Sequence, residues 1–188
     1  MAFVDALFDI ILKLKPEAAV SKLEREGFRN LKPDFTDLTR VMARDDTGVV
    51  FKVQLAPQPL YGQFATHLCH EKCTALTYPN LPQILNHDGR YTMLERLVPV
   101  LDTHAADIWN DNLFQLMHAY KKHTHPQSDI NEGFDLRHAF IRNIIRQNPK
   151  LLKTAALLVN FTGKPNMIRF DDIMCRQDGT HVVLEPSF

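Results

Sequence analysis

The sequence predicts one α+β domain with two lobes, in which a small antiparallel sheet lobe precedes a helical lobe. Its 188 residues suffice for a single domain with a real hydrophobic core. Strand patterns cluster in the first half of the chain, and long helical patterns cluster in the second half. Such grouping is typical of α+β proteins and not of alternating βαβ units. The pattern changes around Pro99, so residues 98–101 mark the predicted boundary between the lobes.

Residues 1–27 are predicted to form two helices ahead of the sheet lobe. Apolar residues recur on one helical face within residues 2–14. Acidic residues are interspersed there and no basic stretch comes first, so we expect an amphipathic helix, not a signal peptide or a membrane span. Pro16 suits the first turn of a second helix, and Gly27 suits its end.

Residues 28–98 are predicted to form the sheet lobe and residues 99–188 the helical lobe. In the sheet lobe we expect a hairpin over residues 28–55, a helix over residues 61–78, and strands over residues 83–86 and 91–98. In the helical lobe we expect a helix over residues 102–123, one or two helices over residues 134–161, and a closing β-hairpin over residues 173–176 and 181–184.

Charge and cysteine content narrow the class of protein. The chain contains 22 basic residues (Lys and Arg) and 22 acidic residues (Asp and Glu), so its formal net charge is zero. A general nucleic-acid binder needs a basic surplus, although a neutral chain can still carry a local basic patch. Three cysteines do not make a disulfide framework and fit a reducing compartment. We therefore expect a cytoplasmic protein without a membrane partner or general nucleic-acid binding.

The order of these elements resembles that of a protein-kinase-like domain. The strand around Lys52 is similar to the one that carries the phosphate-binding lysine, and Glu71 follows where that family places a lysine-pairing glutamate. The strand with Glu95 and Leu97 is similar to the one that leads into the hinge between the lobes. The resemblance implies that Lys52, Glu71, Glu95 and Leu97 mark a vestigial nucleotide site.

Among kinases, the chain most resembles the early serine/threonine protein kinases of T7-like bacteriophages. Those enzymes have an Asn-Ile-Met strand after the catalytic loop and a metal-site Asp-Pro-x-Ser-Phe. Here Asp172-Ile173-Met174 and Glu185-Pro186-Ser187-Phe188 stand in the matching places. The resemblance implies that Asp172 and Glu185 mark a vestigial metal site, and that the helical lobe ends in the kinase hairpin.

Several residues that phosphoryl transfer needs are replaced. The phosphate-covering loop should lie within residues 28–41, which contain no glycine but do contain Asp34 and Asp37. The alignment places Met167 at the catalytic base, and a thioether cannot accept a proton. A shifted alignment would place Asp171 there instead. We therefore expect no catalytic residues and no cofactor, with ATP and Mg²⁺ needed only if the chain is a divergent ATP-dependent phosphotransferase.

Each of these positions also has a purely structural interpretation. Lys52 could be a solvent-facing lysine on an edge strand, and Glu71 could be a solvated helix carboxylate. Asp171 and Asp172 could be turn and cap residues ahead of a strand. For Glu71 and for these two aspartates the structural interpretation is the favoured one.

The sequence also contains an H-x-C-H-x-x-C pattern, formed by His67, Cys69, His70 and Cys73. On a helix, Cys69 and Cys73 would share a face, as would the two histidines. One helix cannot enclose a tetrahedral ion, because structural zinc sites take four ligands from elements that the fold brings together. We favour buried cysteines and surface histidines, and whether the four residues contact a metal stays open.

Two further surface candidates are weighed against ordinary packing. Arg142 and Arg146, together with Arg137, could form a basic strip for an acidic partner, although a solvated helix face is the default interpretation. Trp109 and Phe114 could form a partner-binding hot spot, although core packing is favoured.

The sequence as a whole predicts a catalytically inactive, kinase-like binding protein. If the phage resemblance holds, the partner is a host protein that this chain modulates or inhibits. The alternative is a divergent ATP-dependent serine/threonine protein kinase. The sequence leaves the partner's identity and the oligomeric state open.

Overall fold

The protein contains both helices and antiparallel sheets. Its structure, a computed structural model, describes residues 7, 10, 13–26, 29–33, 40–44, 50–54, 60–87, 91–124 and 139–186. Within those ranges lie five α-helices, one 3₁₀ turn and eight strands in two sheets. The expected mixture of helices with antiparallel sheets is therefore confirmed. The first predicted helix lies largely outside the described residues, as do Asp34, Asp37, Arg137, Ser187 and Phe188.

The chain divides into two compact units. Unit 1 comprises Met1–Lys72 and Gln83–Leu97, and unit 2 comprises Cys73–Pro82 and Val98–Phe188. Residues 73–82 thus belong to unit 2, although the chain on either side of them belongs to unit 1.

Unit 1 contains a five-stranded antiparallel sheet in the order β1-β2-β3-β5-β4. Its strands are β1 Arg29–Pro33, β2 Arg40–Arg44, β3 Val50–Gln54, β4 Ile84–His87 and β5 Tyr91–Leu94. The β2–β3 pairing is regular from Arg40↔Gln54 to Arg44↔Val50, whereas β4 has a register irregularity between Ile84 and Asn86. The central position belongs to β3.

Two helices of unit 1 bury apolar faces. Helix α1, Pro16–Arg25, starts with proline in its first turn and buries Ala19 and Leu23 completely. Helix α2, Leu60–His70, runs between β3 and β4 in the chain and buries Phe64, Ala65 and Leu68. Among the described residues, no helix is both long enough and apolar enough to cross a membrane.

Helix α2 ends eight residues before its expected end at residue 78, so that prediction is wrong. Lys72 has a φ of 49°, a left-handed conformation that stops a helix. Thr74 and Thr77 then form a turn, because each hydroxyl accepts a hydrogen bond from the other's backbone N–H, at 3.3 and 3.1 Å. Threonine hydroxyls compete in this way with helical backbone hydrogen bonds. The prediction placed the helix end just before Pro79 and did not take this competition into account.

Unit 2 contains three helices: α3 Thr103–Thr124, α4 Ala139–Gln147 and α5 Pro149–Thr162. Asp102 starts α3 by accepting a hydrogen bond from the Ala105 N–H at 2.9 Å. Of the one or two helices expected over residues 134–161, the structure describes two, because Asn148 accepts a hydrogen bond from the Leu151 N–H and starts α5. Gly163, with a φ of 76°, ends α5.

A three-stranded antiparallel sheet completes unit 2 in the order β6-β7-β8. Its strands are β6 Val98–Pro99, β7 Ile173–Cys175 and β8 His181–Val183. The expected closing hairpin is thus present as β7 and β8. The single strand expected over residues 91–98 is wrong, since β5 ends at Leu94 and Val98 pairs with Cys175 in the second sheet.

Candidate functional site

Lys52 lies on the central strand of the unit 1 sheet. Its strand β3 is flanked by β2 and β5, and Lys52 pairs in register with Met42 on one side and Thr92 on the other. The edge-strand interpretation of Lys52 is therefore wrong. A nucleotide-contacting role for Lys52 stays a prediction.

Glu71 follows the last residue of α2 and does not lie within the helix. Its side chain is 42% exposed, and its Oε1 lies 3.7 Å from Nδ1 of the neighbouring His70. The Glu71 N–H still donates to the His67 carbonyl at 2.9 Å, so the residue caps the helix end. A pairing between Glu71 and Lys52 stays a prediction.

Glu95 and Leu97, the two hinge-strand candidates, have structural contacts. Glu95 accepts a hydrogen bond from the Gln83 N–H through Oε1 at 2.8 Å, and its own N–H donates to the Gln83 carbonyl at 2.9 Å. The carboxylate thus fixes the chain just before β4. Leu97 is 1% exposed and belongs to the core.

The four residues of the H-x-C-H-x-x-C pattern do not share a helix. His67, Cys69 and His70 lie on α2, whereas Cys73 lies beyond its end and belongs to unit 2. The expected helical face shared by Cys69 and Cys73 is wrong, because α2 ends at His70. Cys69 is exposed and Cys73 half-buried, so the expectation of buried cysteines is also wrong. Partial desolvation still raises the pKa of the Cys69 thiol.

Sequence reasoning missed a chain of polar side chains between α2 and the sheet. His87 on β4 lies 3.0 Å from the Thr66 hydroxyl through Nε2, and 2.9 Å from the Thr92 hydroxyl through Nδ1. Thr92 is completely buried, whereas Thr66 is exposed. The only sequence signal for this chain is a threonine inside the otherwise apolar strand β5. The three residues connect the helix to β4 and β5.

Met167, which the kinase resemblance would align with the catalytic base, lies in unit 2 shortly before β7. Met167 is 49% exposed there, and its neighbour Ile168 is 3% exposed. Asn110 of α3, itself 6% exposed, donates from Nδ2 to the Ile168 carbonyl at 2.7 Å and accepts from the Ile168 N–H through Oδ1 at 3.3 Å. One buried amide therefore fixes the backbone beside Met167 in both directions.

Asp171 and Asp172 lie in the 3₁₀ turn Phe170–Asp172, directly before β7. Asp171 is exposed and Asp172 half-buried. The Asp172 carbonyl accepts a hydrogen bond from the Leu184 N–H at 2.7 Å, which ties the turn to the end of β8. The pair therefore occupies a turn ahead of a strand, as the structural interpretation supposed.

Glu185, the second metal candidate, is buried with 7% of its surface exposed. Across the described ranges, no group of three or more His, Cys, Asp or Glu side chains has a geometry that could hold a metal ion. Mg²⁺ keeps several water ligands in most protein sites, and a buried carboxylate leaves little room for them. Metal binding at Asp172 and Glu185 stays a prediction.

Arg176 and Asn80 hold residues 73–82 against the second sheet. The Arg176 guanidinium donates to the carbonyl groups of Pro79 and Leu81, the latter at 2.9 Å. Asn80 donates a hydrogen bond from Nδ2 to the His181 carbonyl at 2.9 Å. The backbone carbonyl of Asn80 accepts a hydrogen bond from the Val183 N–H at 2.9 Å. These contacts explain why the segment belongs to unit 2.

The aromatic candidates pack inside unit 2. Trp109 stacks on His181 with ring centroids 5.3 Å apart and planes 20° apart. Phe114 meets His118 edge to face at 4.4 Å. Burial lowers the pKa of His181, and the charge of Asp102 partly opposes that shift. Trp109 and Phe114 therefore act as packing residues, as the favoured interpretation predicted.

A function for this chain has to be inferred from its own residues. No model of a known protein family matches the chain, and no curated protein is significantly similar to it.

Proposed function

We propose that this chain is a catalytically inactive, kinase-like protein that binds a partner protein and modulates it. The partner, under the phage resemblance, is a host protein. The observation that carries the proposal is the fixed backbone at Met167. The residue that would have to accept a proton is a methionine, and Asn110 holds its neighbour from inside the helical unit.

Support for the kinase-like architecture comes from the order of elements. In unit 1, three strands precede a helix and two strands follow it, with Lys52 on the strand before the helix. In unit 2, large helices precede the β7–β8 hairpin, and Glu185 comes two residues after it. The kinase resemblance implies the same order, from the lysine strand through the hinge to the hairpin.

Support for lost chemistry comes from what the candidate residues contact. Glu95 is bound to the Gln83 backbone, and Leu97 and Glu185 are buried. A general base typically contributes 10²–10⁴-fold to a rate, and electrostatic stabilisation by metal ions usually contributes more. Loss of both would leave residual phosphotransfer below ordinary detection.

The test compares nucleotide binding with partner binding on one set of proteins. A partner is captured from host lysate and identified, and its affinity is then measured with the purified chain and with Lys52→Ala. We expect equal partner affinity for both proteins, no thermal shift with Mg²⁺-ATP, and no transfer of labelled phosphate to the partner.

The divergent-kinase alternative predicts a different pattern. Labelled phosphate would reach the partner with the unmodified chain and would be lost in Lys52→Ala, while circular dichroism showed that the variant is folded. That result would overturn the proposal. A Glu24→Gln variant, changed at an exposed position on α1, controls for nonspecific effects of charge removal.

A further inference from the structure

The chain of polar side chains in unit 1 links an exposed hydroxyl to a buried hydroxyl through one imidazole ring. His87 lies 3.0 Å from the Thr66 hydroxyl through Nε2 and 2.9 Å from the Thr92 hydroxyl through Nδ1. Thr66 lies on α2 and is exposed, whereas Thr92 lies on β5 and is completely buried. The two hydroxyls are chemically alike, but only Thr66 can be reached from solvent.

Regular secondary structure holds all three side chains. His87 and Thr92 are directly opposite each other in the β4–β5 pairing, so their side chains lie on the same face of the sheet. On α2, Ala65 and Leu68 are buried, and this packing fixes the helix that carries Thr66. Groups on helices and strands keep their positions more precisely than groups on loops do.

The order of these groups is the one that activates a hydroxyl for nucleophilic attack. Activation needs a hydroxyl, a base within hydrogen-bond distance, and a third group that orients the base. A neutral imidazole has one N–H, so one ring nitrogen donates a hydrogen bond while the other accepts one. Nδ1 faces the buried Thr92 and Nε2 faces the exposed Thr66, so Nε2 is the nitrogen that a reacting group can approach. The reactive tautomer therefore carries its proton on Nδ1 and its lone pair on Nε2.

We propose that Thr66 is a nucleophile that accepts an acyl group from an activated acyl donor, a thioester or an aryl ester. His87 is its general base, and Thr92 is a positioning residue. Thr66 Oγ1 forms a bond to the acyl carbon, and the bond from that carbon to the leaving sulfur or oxygen breaks. His87 Nε2 takes the Thr66 proton and passes it to the leaving group. The product is a threonine ester on α2, and the step needs no further reactant.

An acyl donor suits these three side chains, because two hydroxyls and a neutral imidazole carry no charge. Attack on a carbonyl requires removal of the hydroxyl proton, whereas phosphoryl transfer also requires cations that neutralise the phosphate oxygens of the donor. The inference goes beyond the proposed function and does not depend on it. A single acylation uses none of the positions that the kinase resemblance assigns to phosphoryl transfer.

The test mixes the full chain with p-nitrophenyl acetate and records both the release of p-nitrophenolate and the intact mass of the protein. Every protein carries the Cys69→Ala substitution, because the exposed Cys69 thiol is a competing nucleophile. We expect a stoichiometric burst of p-nitrophenolate and a mass increase of a single acetyl group. Peptide mass spectrometry should locate the ester on Thr66.

Substitutions along the chain of polar side chains separate the three roles. Thr66→Val should abolish the ester, whereas Thr66→Ser should retain it. His87→Gln should slow acetylation about 100-fold or more, and Thr92→Val should slow it less, with recovery in Thr92→Ser. A purely structural role of Thr92 would lower the melting temperature of Thr92→Val and leave the rate of the folded chain unchanged. The matched control is Thr124→Val, at an exposed helical threonine whose hydroxyl donates to the Tyr120 carbonyl at 2.9 Å, and its rate should be unchanged.

Four results would overturn the proposal. The first is a folded chain that p-nitrophenyl acetate does not acetylate, or that incorporates phosphate from p-nitrophenyl phosphate instead. The second is acetylation that is equally fast in Thr66→Val or is spread evenly over the exposed hydroxyls and amines. The third is an acetyl group that stays on the His87 ring, which would make the imidazole the nucleophile. The fourth is an unchanged rate in folded His87→Gln, which would give the hydrogen bonds of His87 a structural role only.

Discussion

Replacing Asn110 by alanine should destabilise unit 2 substantially, because the substitution removes both hydrogen bonds to the Ile168 backbone. The Ile168 carbonyl would lose its donor at 2.7 Å and the Ile168 N–H its acceptor at 3.3 Å. Ile168 is 3% exposed and Asn110 6% exposed, so water cannot replace the lost bonds without opening the structure. Each buried polar group left unsatisfied costs about 1–3 kcal/mol. Taking the longer bond at the low end of that range, the expected loss is about 2–4 kcal/mol.

Helix propensity partly opposes this loss and has to be separated from it. Alanine is about 0.6 kcal/mol more favourable than asparagine inside a helix. The matched control is Asn143→Ala on α4, where the asparagine is exposed and bonded only to the Arg146 side chain. The control gains similar propensity and loses no buried bond. The difference between the two variants therefore measures the bonds to Ile168.

The assay is urea denaturation followed through Trp109, the chain's only tryptophan, which lies next to Asn110 on α3. We expect a lower midpoint for Asn110→Ala at an unchanged slope, since a mutation that only lowers stability leaves the slope intact. Asn110→Asp should be at least as damaging, because a carboxylate would face the Ile168 carbonyl. The reasoning would be wrong if the free energies of unfolding of Asn110→Ala and Asn143→Ala differed by less than about 0.5 kcal/mol. The hydrogen bonds between Asn110 and Ile168 would then not stabilise the residues around Met167.

Three further predictions concern a titrating group, a buried hydroxyl and a helix end. Burial lowers the pKa of His181. Near the ordinary histidine pKa of about 6.5, the unfolded chain therefore binds more protons than the folded chain does. The stability of unit 2 should fall as the pH drops through that range. Asp102→Asn keeps the cap of α3 but removes the charge that opposes the shift, so this acid loss should grow, and His181→Gln should reduce it in the same pH series of melts. Thr92→Val should cost about 1–2 kcal/mol because it removes the buried hydrogen-bond partner of His87. Thr66→Val, at the exposed end of the same chain of polar side chains, should cost less. Equal losses of stability in urea titrations would contradict the role of burial. Gly163→Ala should cost about 1 kcal/mol through backbone strain alone, because Gly163 has a φ of 76° and a Cβ there would meet nothing within 4 Å. An unchanged melting temperature would refute this.

Local chemistry explains what the sequence predicted correctly. Pro16 acts within the first turn of α1, so its effect can be read from neighbouring residues. The β7–β8 hairpin follows likewise from Gly179, which has a φ of 85°, and from its flanking apolar alternation. In these places no distant contact competes with the local preference.

Distant contacts explain what the sequence could not predict. Asn110 and Ile168 are 58 residues apart, and Arg176 binds carbonyls more than 90 residues away. No periodicity connects such positions, so neither the support of the Met167 region nor the membership of residues 73–82 was foreseen. The end of α2 was missed because Lys72 adopts a left-handed conformation that single-residue preferences disfavour.

The polar groups of unit 2 differ in what they bind, and this difference bears on the proposed function. Asn110, Asn80 and Arg176 are directed at backbone groups, where they fix Ile168 and residues 73–82. Side chains that satisfy buried backbone groups are not free to stabilise a transition state, because catalysis requires donors and bases aimed at the reacting atoms. Arg142, Lys150 and Lys153 are instead exposed and have no ion-pair partner among the described residues. Under the proposed function, the partner would therefore bind exposed side chains of unit 2 and would need no chemistry at the positions that the kinase resemblance assigns to phosphoryl transfer.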